Sequence, residues 1–377
     1  MKLVHICSDY SGTHLYRSLI SQLGNIILNQ IVYVPVRSRE LVGMYDITNG
    51  QNIKIVYSFI LRKWHRLFFF RKINDEFKDF NGKIDIQNYD LIHAHFLFSD
   101  GALALKCKKK FGTKYVVTVR NTDINIFFKY LLHLRKTGFE ILSHAESVIV
   151  LNPRYKEKLL SYLPYSLQQK VQLKMFVVPN GIENFWLENK FSRQSITDNQ
   201  QLNLLYVGEF SKNKNLETSV KVADSLIDKG INLSFKMVGN YGDNCIAIRK
   251  LADKRPYIQI IDKVTDKKKL MQYYREADIF LMVSFYESFG LVYLEAMSQG
   301  CPVIYSAGQG IDGYFKNGII GYSVHPKNTE EIVNAVLKIR ENFNLLSANC
   351  IENIDSFSWQ SVADSLQRIY KPVLTAG

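Results

Sequence analysis

The sequence predicts an α/β chain built from two doubly wound parallel-sheet domains in tandem, and three observations lead there. Its 377 residues exceed what a single core ordinarily holds and suit two domains of about 150–200 residues each. Short apolar runs recur without polar alternation, the pattern of strands covered on both faces, and stretches of helical periodicity separate them. The series halts at a turn-rich segment near residues 180–200 and then starts again.

Taken in order, the strand runs of the first half are 2–7, 31–36, 53–57, 91–94, 115–119, 147–151 and 176–178. Those of the second half are 202–207, 233–238, 258–261, 279–283, 302–305 and 321–324. The join falls at Pro179-Asn180-Gly181, a turn sequence, followed by the polar stretch 192–201. This gives a first domain over 1–180 and a second over 181–356. A closing helix over 357–377 carries an apolar stripe of Trp359, Val362, Ala363, Leu366 and Ile369, which must be buried and is expected to pack back on the first domain.

Composition narrows the function classes. No run of about 18 uncharged apolar residues is present to span a bilayer, and the opening Met1–Cys7 reads as a buried strand rather than a signal peptide. Five scattered cysteines without C-x-x-C spacing suggest neither a disulfide framework nor a zinc site, and fit a reducing cytoplasm. The net charge of +13 is unevenly placed: residues 1–180 hold 26 Lys+Arg against 13 Asp+Glu, whereas 181–377 hold 22 against 22. One half therefore meets something anionic: lipid headgroups, nucleic acid or a phosphorylated acceptor.

The strongest motif is Glu287-Ser288-Phe289-Gly290-Leu291-Val292-Tyr293-Leu294-Glu295, which follows a strand and enters a helix. A helix N-terminus beyond the carboxyl end of a strand offers free N–H groups and a positive dipole to phosphate. Gly290 lets the backbone approach a ligand closely, and Glu287 and Glu295 supply acceptors for sugar and ribose hydroxyls.

This stretch resembles the E-x7-E motif of retaining glycosyltransferase family 4, whose GT-B fold sets two Rossmann-like domains facing across a cleft. Further segments resemble the family in the same order: Val178-Pro179-Asn180-Gly181-Ile182, Met237-Val238-Gly239-Asn240-Tyr241-Gly242 and Ala277-Asp278-Ile279-Phe280. In the loop Gly208-Glu209-Phe210-Ser211-Lys212-Asn213-Lys214-Asn215, Lys214 matches the family lysine that grips the donor diphosphate. Glu209 stands where the family has Arg, so Lys212 or a basic residue of the first domain is left to supply the missing charge.

The resemblance extends to the first half. Asp90-Leu91-Ile92-His93-Ala94-His95-Phe96 is similar to the family's H-x-H, whose second histidine contacts the donor sugar. Metal binding by His93 and His95 lacks an apparent third ligand, and His93 reads as a buried structural residue. Val117-Thr118-Val119-Arg120-Asn121-Thr122-Asp123 is similar to the family's T-x-H-G-T-D loop, with Arg120 available to compensate for Glu209 and Asp123 to orient the acceptor hydroxyl, or either to form a local ion pair. Gly12, in the loop after the first strand, is a candidate for close approach to the donor.

Between residues 57 and 83 large apolar side chains alternate with cations, and Arg62, Lys63, Trp64, Arg66, Phe69, Arg71 and Lys72 form a candidate membrane-surface stretch. Lys106, Lys108, Lys109, Lys110 and Lys114 are expected to extend the same basic face, the alternative being a helix packed on the sheet with solvated cations.

The resemblance implies a metal-independent, cofactor-free hexosyltransferase at the inner face of the cell membrane. It would retain anomeric configuration and move sugar from a nucleotide diphosphate sugar to a glycan or lipid-linked acceptor in polysaccharide, lipopolysaccharide or glycolipid synthesis. Within it, Lys214 and Lys212 serve the diphosphate, Glu295 the donor ribose, Glu287 and the backbone from Phe289 to Leu291 the donor sugar, and His95 the sugar's far side. Gly239 borders the nucleotide, and His95 and Glu287 are the candidate catalytic pair. The competing readings are a GT-B epimerase or phosphorylase, a non-catalytic relative motivated by Glu209, and a nucleic-acid-binding protein motivated by a pI near 9.3. No nucleic-acid module is recognisable, so no nucleic-acid partner is expected.

Overall fold

In the computed structural model, residues 1–47, 52–192 and 201–375 are described; most of the polar stretch after the join lies outside them. Contacts divide the chain into a unit of Met1–Gly181 with Trp359–Gly377, and a unit of Ile182–Ser358.

The first unit is a parallel sheet of β1 (Lys2–Ile6), β2 (Asn29–Pro35), β3 (Ile53–Ser58), β4 (Leu91–Ala94), β5 (Tyr115–Val119), β6 (Ser147–Val150) and β7 (Met175–Val177), in spatial order β3-β2-β1-β4-β5-β6-β7. The apolar runs read from the sequence correspond to these strands, with ends shifted by one or two residues. Burial on both faces explains why they alternate so little. On one face Val4, Ile6, Ile92, Ala94, Val117 and Val148 pack with Phe80, Leu103 and Ile141 of the helices Phe69–Lys83, Ser99–Phe111 and Arg135–His144. On the other, Leu3, Leu91, Val116 and Ile149 meet Leu19 and Leu23 of helix His14–Gly24 and the stripe Trp359, Val362, Leu366, Ile369 and Tyr370 of helix Trp359–Thr375. The approach is close at the join: a Cβ on Gly181 would lie 2.3 Å from the Trp359 ring.

The second unit repeats the plan with β8 (Leu202–Val207), β9 (Leu233–Gly239), β10 (Ile258–Asp262), β11 (Ile279–Met282), β12 (Val303–Ser306) and β13 (Gly321–Val324), all parallel, in order β10-β9-β8-β11-β12-β13. In both sheets the winding direction reverses beside the first strand, between β1 and β4 and between β8 and β11. Connecting loops diverge there, leaving a crevice at the carboxyl ends of the strands where doubly wound folds bind ligands.

The aromatic and basic stretch departs from the expected flat-lying helix. It forms a short 3-10 turn over Lys63–Arg66, and a regular helix begins only at Phe69. Two residues assigned to a membrane face turn inward. Lys72 is buried, 3.6 Å from Glu76, with Nζ donating to Ser99, and Phe69 packs against the core. Of the flanking lysines, Lys108 pairs with Glu146, Lys109 with Glu140, and Lys114 donates to the Val373 carbonyl, so part of that basic face is neutralised locally. Trp64, Leu67, Phe68 and Phe70 remain outward, 42, 82, 60 and 58% exposed. No helix among the described residues is long and apolar enough to cross a membrane.

Candidate active site

In the second unit the site grows from the two loops flanking the β8/β11 reversal. Asn213 holds them together: its amide donates to the Tyr286 carbonyl at 2.8 Å, while its side-chain and main-chain oxygens accept from the amides of Tyr286 and Phe285. Asn215 adopts a left-handed backbone (φ 55°) and donates to the carbonyls of Val283 and Pro326, which sets the turn into the next helix. This clamp places Lys214 Nζ 2.7 Å from Glu287 Oε2, with the two side chains only 17 and 14% exposed. Glu287 is held in turn by its backbone, whose N–H donates to Gln309 and whose carbonyl accepts from Gly310.

Gly290, at φ 77°, precedes helix Leu291–Ser298, and a Cβ there would meet the Tyr293 ring at 2.5 Å. The first N–H groups of a helix lack intrahelical partners, and the positive end of its dipole suits an anion. Glu295, one residue past the middle of the helix, accepts from the Tyr274 hydroxyl at 2.9 Å. Desolvation pushes its carboxyl up to about 7; Glu183 adds to the rise, and the Tyr274 hydrogen bond and Lys267 oppose it. At the end of β9, Gly239 (φ 151°) is demanded by the backbone itself, because a Cβ would fall 1.8 Å from the Gly208 carbonyl oxygen. Phe289 is buried against Tyr314 and Phe357, Leu291 opens the helix, and Lys212 and Glu209 are exposed on the β8 loop.

The first unit treats its candidates differently. A Cβ on Gly12 would lie 2.2 Å from Asp9 Oδ1, the mobile end of a side chain that can turn aside. Asp123 is buried and accepts from the amides of Leu97, Phe98 and Arg120, which ties its carboxylate to the backbone of two loops. Burial still raises its carboxyl to about 6 against those hydrogen bonds. Arg120 donates to the His95 carbonyl and to Asn180 Oδ1 (3.1 Å), and lies over the Tyr16 and Phe96 rings. It fastens the Pro179-Asn180-Gly181 turn to the sheet through these contacts.

His95 does not stand open at the strand end. It is buried, stacked on His93 (ring centroids 4.1 Å) and linked through Nε2 to His5 Nδ1 at 3.0 Å. The third imidazole that the sequence did not reveal is therefore His5, brought into register with His93 by the β1/β4 pairing. One nitrogen of each ring lies within 4.8 Å of the others. The partners favour a hydrogen-bonded row over a ligand set: His93 faces the Thr118 and Tyr370 hydroxyls, His5 faces Gln30, and the Arg120 charge bears on both His93 and His95. Burial drives all three well below the ordinary histidine pKa, His5 to about 4, so the rings are neutral. His5, Gln30, Tyr370, Asn213 and Tyr274 carried no motif, because each is defined by a cross-strand or cross-loop neighbour distant in sequence.

Comparison with known proteins now decides the family. The model for glycosyl transferases group 1 matches residues 188–356, and that for glycosyltransferase family 4 matches residues 31–184. The chain belongs to the family 4 glycosyltransferases. An uncharacterised glycosyltransferase of Methanocaldococcus jannaschii is 24% identical over 352 residues, covering 87% of each chain. Among solved structures, the sucrose-phosphate synthase of Thermosynechococcus elongatus superposes with a TM-score of 0.76 at 18% identity over all of both chains. Anabaena HepE in complex with UDP gives 0.75 at 12% identity, covering 99% of this glycosyltransferase and 100% of that chain. The fold of this family member is thus GT-B, with both Rossmann-like units present.

Proposed function

We propose that this glycosyltransferase moves a hexose-type sugar, with retention of configuration, from a nucleotide diphosphate sugar to a membrane-associated glycan or lipid-linked acceptor. The observation that carries the reading is the Lys214–Glu287 pair at the head of helix Leu291–Ser298, with Glu295 about one turn inside it. Lys214, Lys212 and the helix N-terminus supply positive potential for a departing diphosphate without requiring a metal ion. Glu287 and Glu295 offer carboxylate acceptors to sugar and ribose hydroxyls. In the reaction the bond from the anomeric carbon to the diphosphate oxygen breaks, the acceptor oxygen bonds to the same face, and its proton passes to the leaving phosphate. The UDP bound to HepE, a protein of the same fold, supports the donor class.

Membrane docking is supported by the exposed Trp64, Leu67, Phe68 and Phe70 beside Arg62, Lys63, Arg66 and Arg71. Apolar rings inserted at headgroup depth, with about 1 kcal/mol from each nearby cation, would hold the chain to an anionic surface, and that surface would be the inner face of the cell membrane.

A thermal-shift screen with UDP-, GDP- and ADP-sugars tests the donor reading, followed by NMR of the product's anomeric configuration. One nucleotide sugar raising the midpoint, and an axial or equatorial product matching its donor, is the expected result; no shift with any of them, or an inverted product, defeats it. Flotation with phosphatidylglycerol vesicles, but not with phosphatidylcholine vesicles, tests the docking.

A further inference from the structure

The first unit carries a second outward apolar stretch, in the loop that follows β5. This loop runs through a π-helical turn (Asp123–Phe128) and a 3-10 turn (Leu132–Leu134) into helix Arg135–His144. It leaves Ile126, Tyr130 and Leu132 outward, 48, 64 and 59% exposed. The loop is pinned in that form. Asp123 accepts from the amides of Leu97 and Phe98, Asn125 accepts from Lys158, and Arg135 donates to the Phe128 carbonyl at 2.7 Å. Ile124, Phe128 and Leu134 already fill the core beneath, so the three outward side chains have no place in it.

β3 and β5 stand four places apart in the sheet, about 19 Å. Rings close that distance. Phe127 stacks on Phe98 with centroids 4.5 Å apart, and its ring comes within 6.4 Å of Phe69, whose neighbours Phe68 and Phe70 are exposed. The loops after β3 and β5 therefore adjoin, both at the carboxyl end of the sheet.

Charge indicates what covers them. Residues 59–74 hold Arg62, Lys63, Arg66, Arg71 and Lys72 and no Asp or Glu, and residues 124–139 hold Lys129, Arg135 and Lys136 and again no acid. A second copy of the chain docked through the same face would set cation against cation. An anionic bilayer suits both parts of the pattern, with apolar side chains at headgroup depth and cations among the phosphates. We propose that the loop after β5 is a second membrane anchor, entering an anionic bilayer through Ile126, Tyr130 and Leu132 alongside the loop after β3. This rests on the membrane-docking reading and adds an orientation to it. One anchor leaves the chain free to pivot, whereas two hold the carboxyl ends of the first sheet against the lipid.

The amino edge of the same sheet supplies the control, because Leu173, 81% exposed, lies just before β7 there. The test is flotation of the full-length chain with phosphatidylglycerol or phosphatidylcholine vesicles, comparing the wild type, Ile126→Ser/Leu132→Ser and Leu173→Ser. The wild type should float with the anionic vesicles alone. The double variant should partition at least roughly tenfold less, while Leu173→Ser stays within about twofold of the wild type. A folded double variant that binds as tightly as the wild type overturns the second anchor and leaves the docking reading standing. A wild type that floats with neither vesicle overturns both. Dimerisation in ultracentrifugation that the double variant abolishes assigns the surface to a second copy and overturns the proposal. If the double variant fails to fold, Trp64→Phe/Tyr130→Trp decides, since Trp186 and Trp359 are buried. Brominated phosphatidylglycerol should quench the new indole, and an unquenched one overturns the proposal.

Discussion

Replacing Lys214 by Met tests the donor site where its geometry is most explicit. The ammonium sits 2.7 Å from Glu287 Oε2 in a pocket that leaves both side chains less than a fifth exposed. In the ligand-free protein its loss strands a partly buried carboxylate, a cost of about 1–3 kcal/mol. On a bound diphosphate it removes a charge-assisted hydrogen bond of about 1.5–3 kcal/mol, equivalent to a roughly 10- to 150-fold weaker Kd. At a donor concentration about 100 times the wild-type Kd, the wild type gains about 2.7 kcal/mol of stability. A variant weakened about 100-fold gains only about 0.4 kcal/mol at that concentration. For a unit the size of Ile182–Ser358 these translate to midpoint shifts of about 5–11 °C and about 1–2 °C. Differential scanning fluorimetry with circular dichroism as a folding control reads the difference. A folded Lys214→Met protein that the same nucleotide sugar stabilises as much as the wild type would show that Lys214 does not contact the diphosphate.

Three further predictions draw on the same geometry. Glu295 carries a carboxyl raised to about 7 by burial against about 4.5 when unfolded. The native state therefore binds the extra proton, so this residue's contribution to stability is full below about pH 4.5 and is lost as pH rises through about 7. Donor affinity should move oppositely, rising from pH 6 to 8 as the acceptor ionises, and Glu295→Gln should flatten both profiles in calorimetric titrations and denaturant unfolding. Gly239→Ala must push the β8 and β9 loops apart, since its Cβ would lie 1.8 Å from the Gly208 oxygen, at an expected cost of about 2–4 kcal/mol in denaturant unfolding. Gly230→Ala, with positive φ but open space, should cost only about 1 kcal/mol, and equal losses would remove close approach as the reason for Gly239. Glu209→Arg converts an exposed carboxylate on the diphosphate loop into a fork of donors, and should tighten the nucleotide sugar by roughly fivefold or more in low salt, with the gain shrinking as salt screens it.

Both sheets were legible from the sequence because buried parallel strands announce themselves as unbroken apolar runs, and all thirteen observed strands fall on runs read that way. That Lys214, Glu287 and Glu295 belong to one neighbourhood was legible because they sit at spacings tied to one family, and the structure brings the Lys214 and Glu287 loops together at the head of the helix that carries Glu295. Legibility failed where a residue's partner lay across the fold. Asp123 reads as an available acid after a strand, but three amides from two separate loops claim it. Lys72 reads as one more surface cation until Glu76 and Ser99 enclose it. His5 sits in an ordinary strand run, and only the β1/β4 register, a pairing some 90 residues apart, makes it a neighbour of His93 and His95.

The placement of helix Trp359–Thr375 on the face of Leu3, Leu91 and Val116 has a consequence for synthesis. As the chain leaves the ribosome, all seven strands of the first unit emerge before the helix that roofs one of their faces, with the whole of Ile182–Ser358 in between. The unit that starts first is therefore completed last, and the second unit is the first able to reach its finished form. Until the final residues arrive, the nascent sheet shows water an apolar surface and the hydroxyl of Tyr370 is missing from His93. A ribosome stalled after Ser358 would hold one finished unit and one unroofed sheet, the form most open to chaperones and proteases.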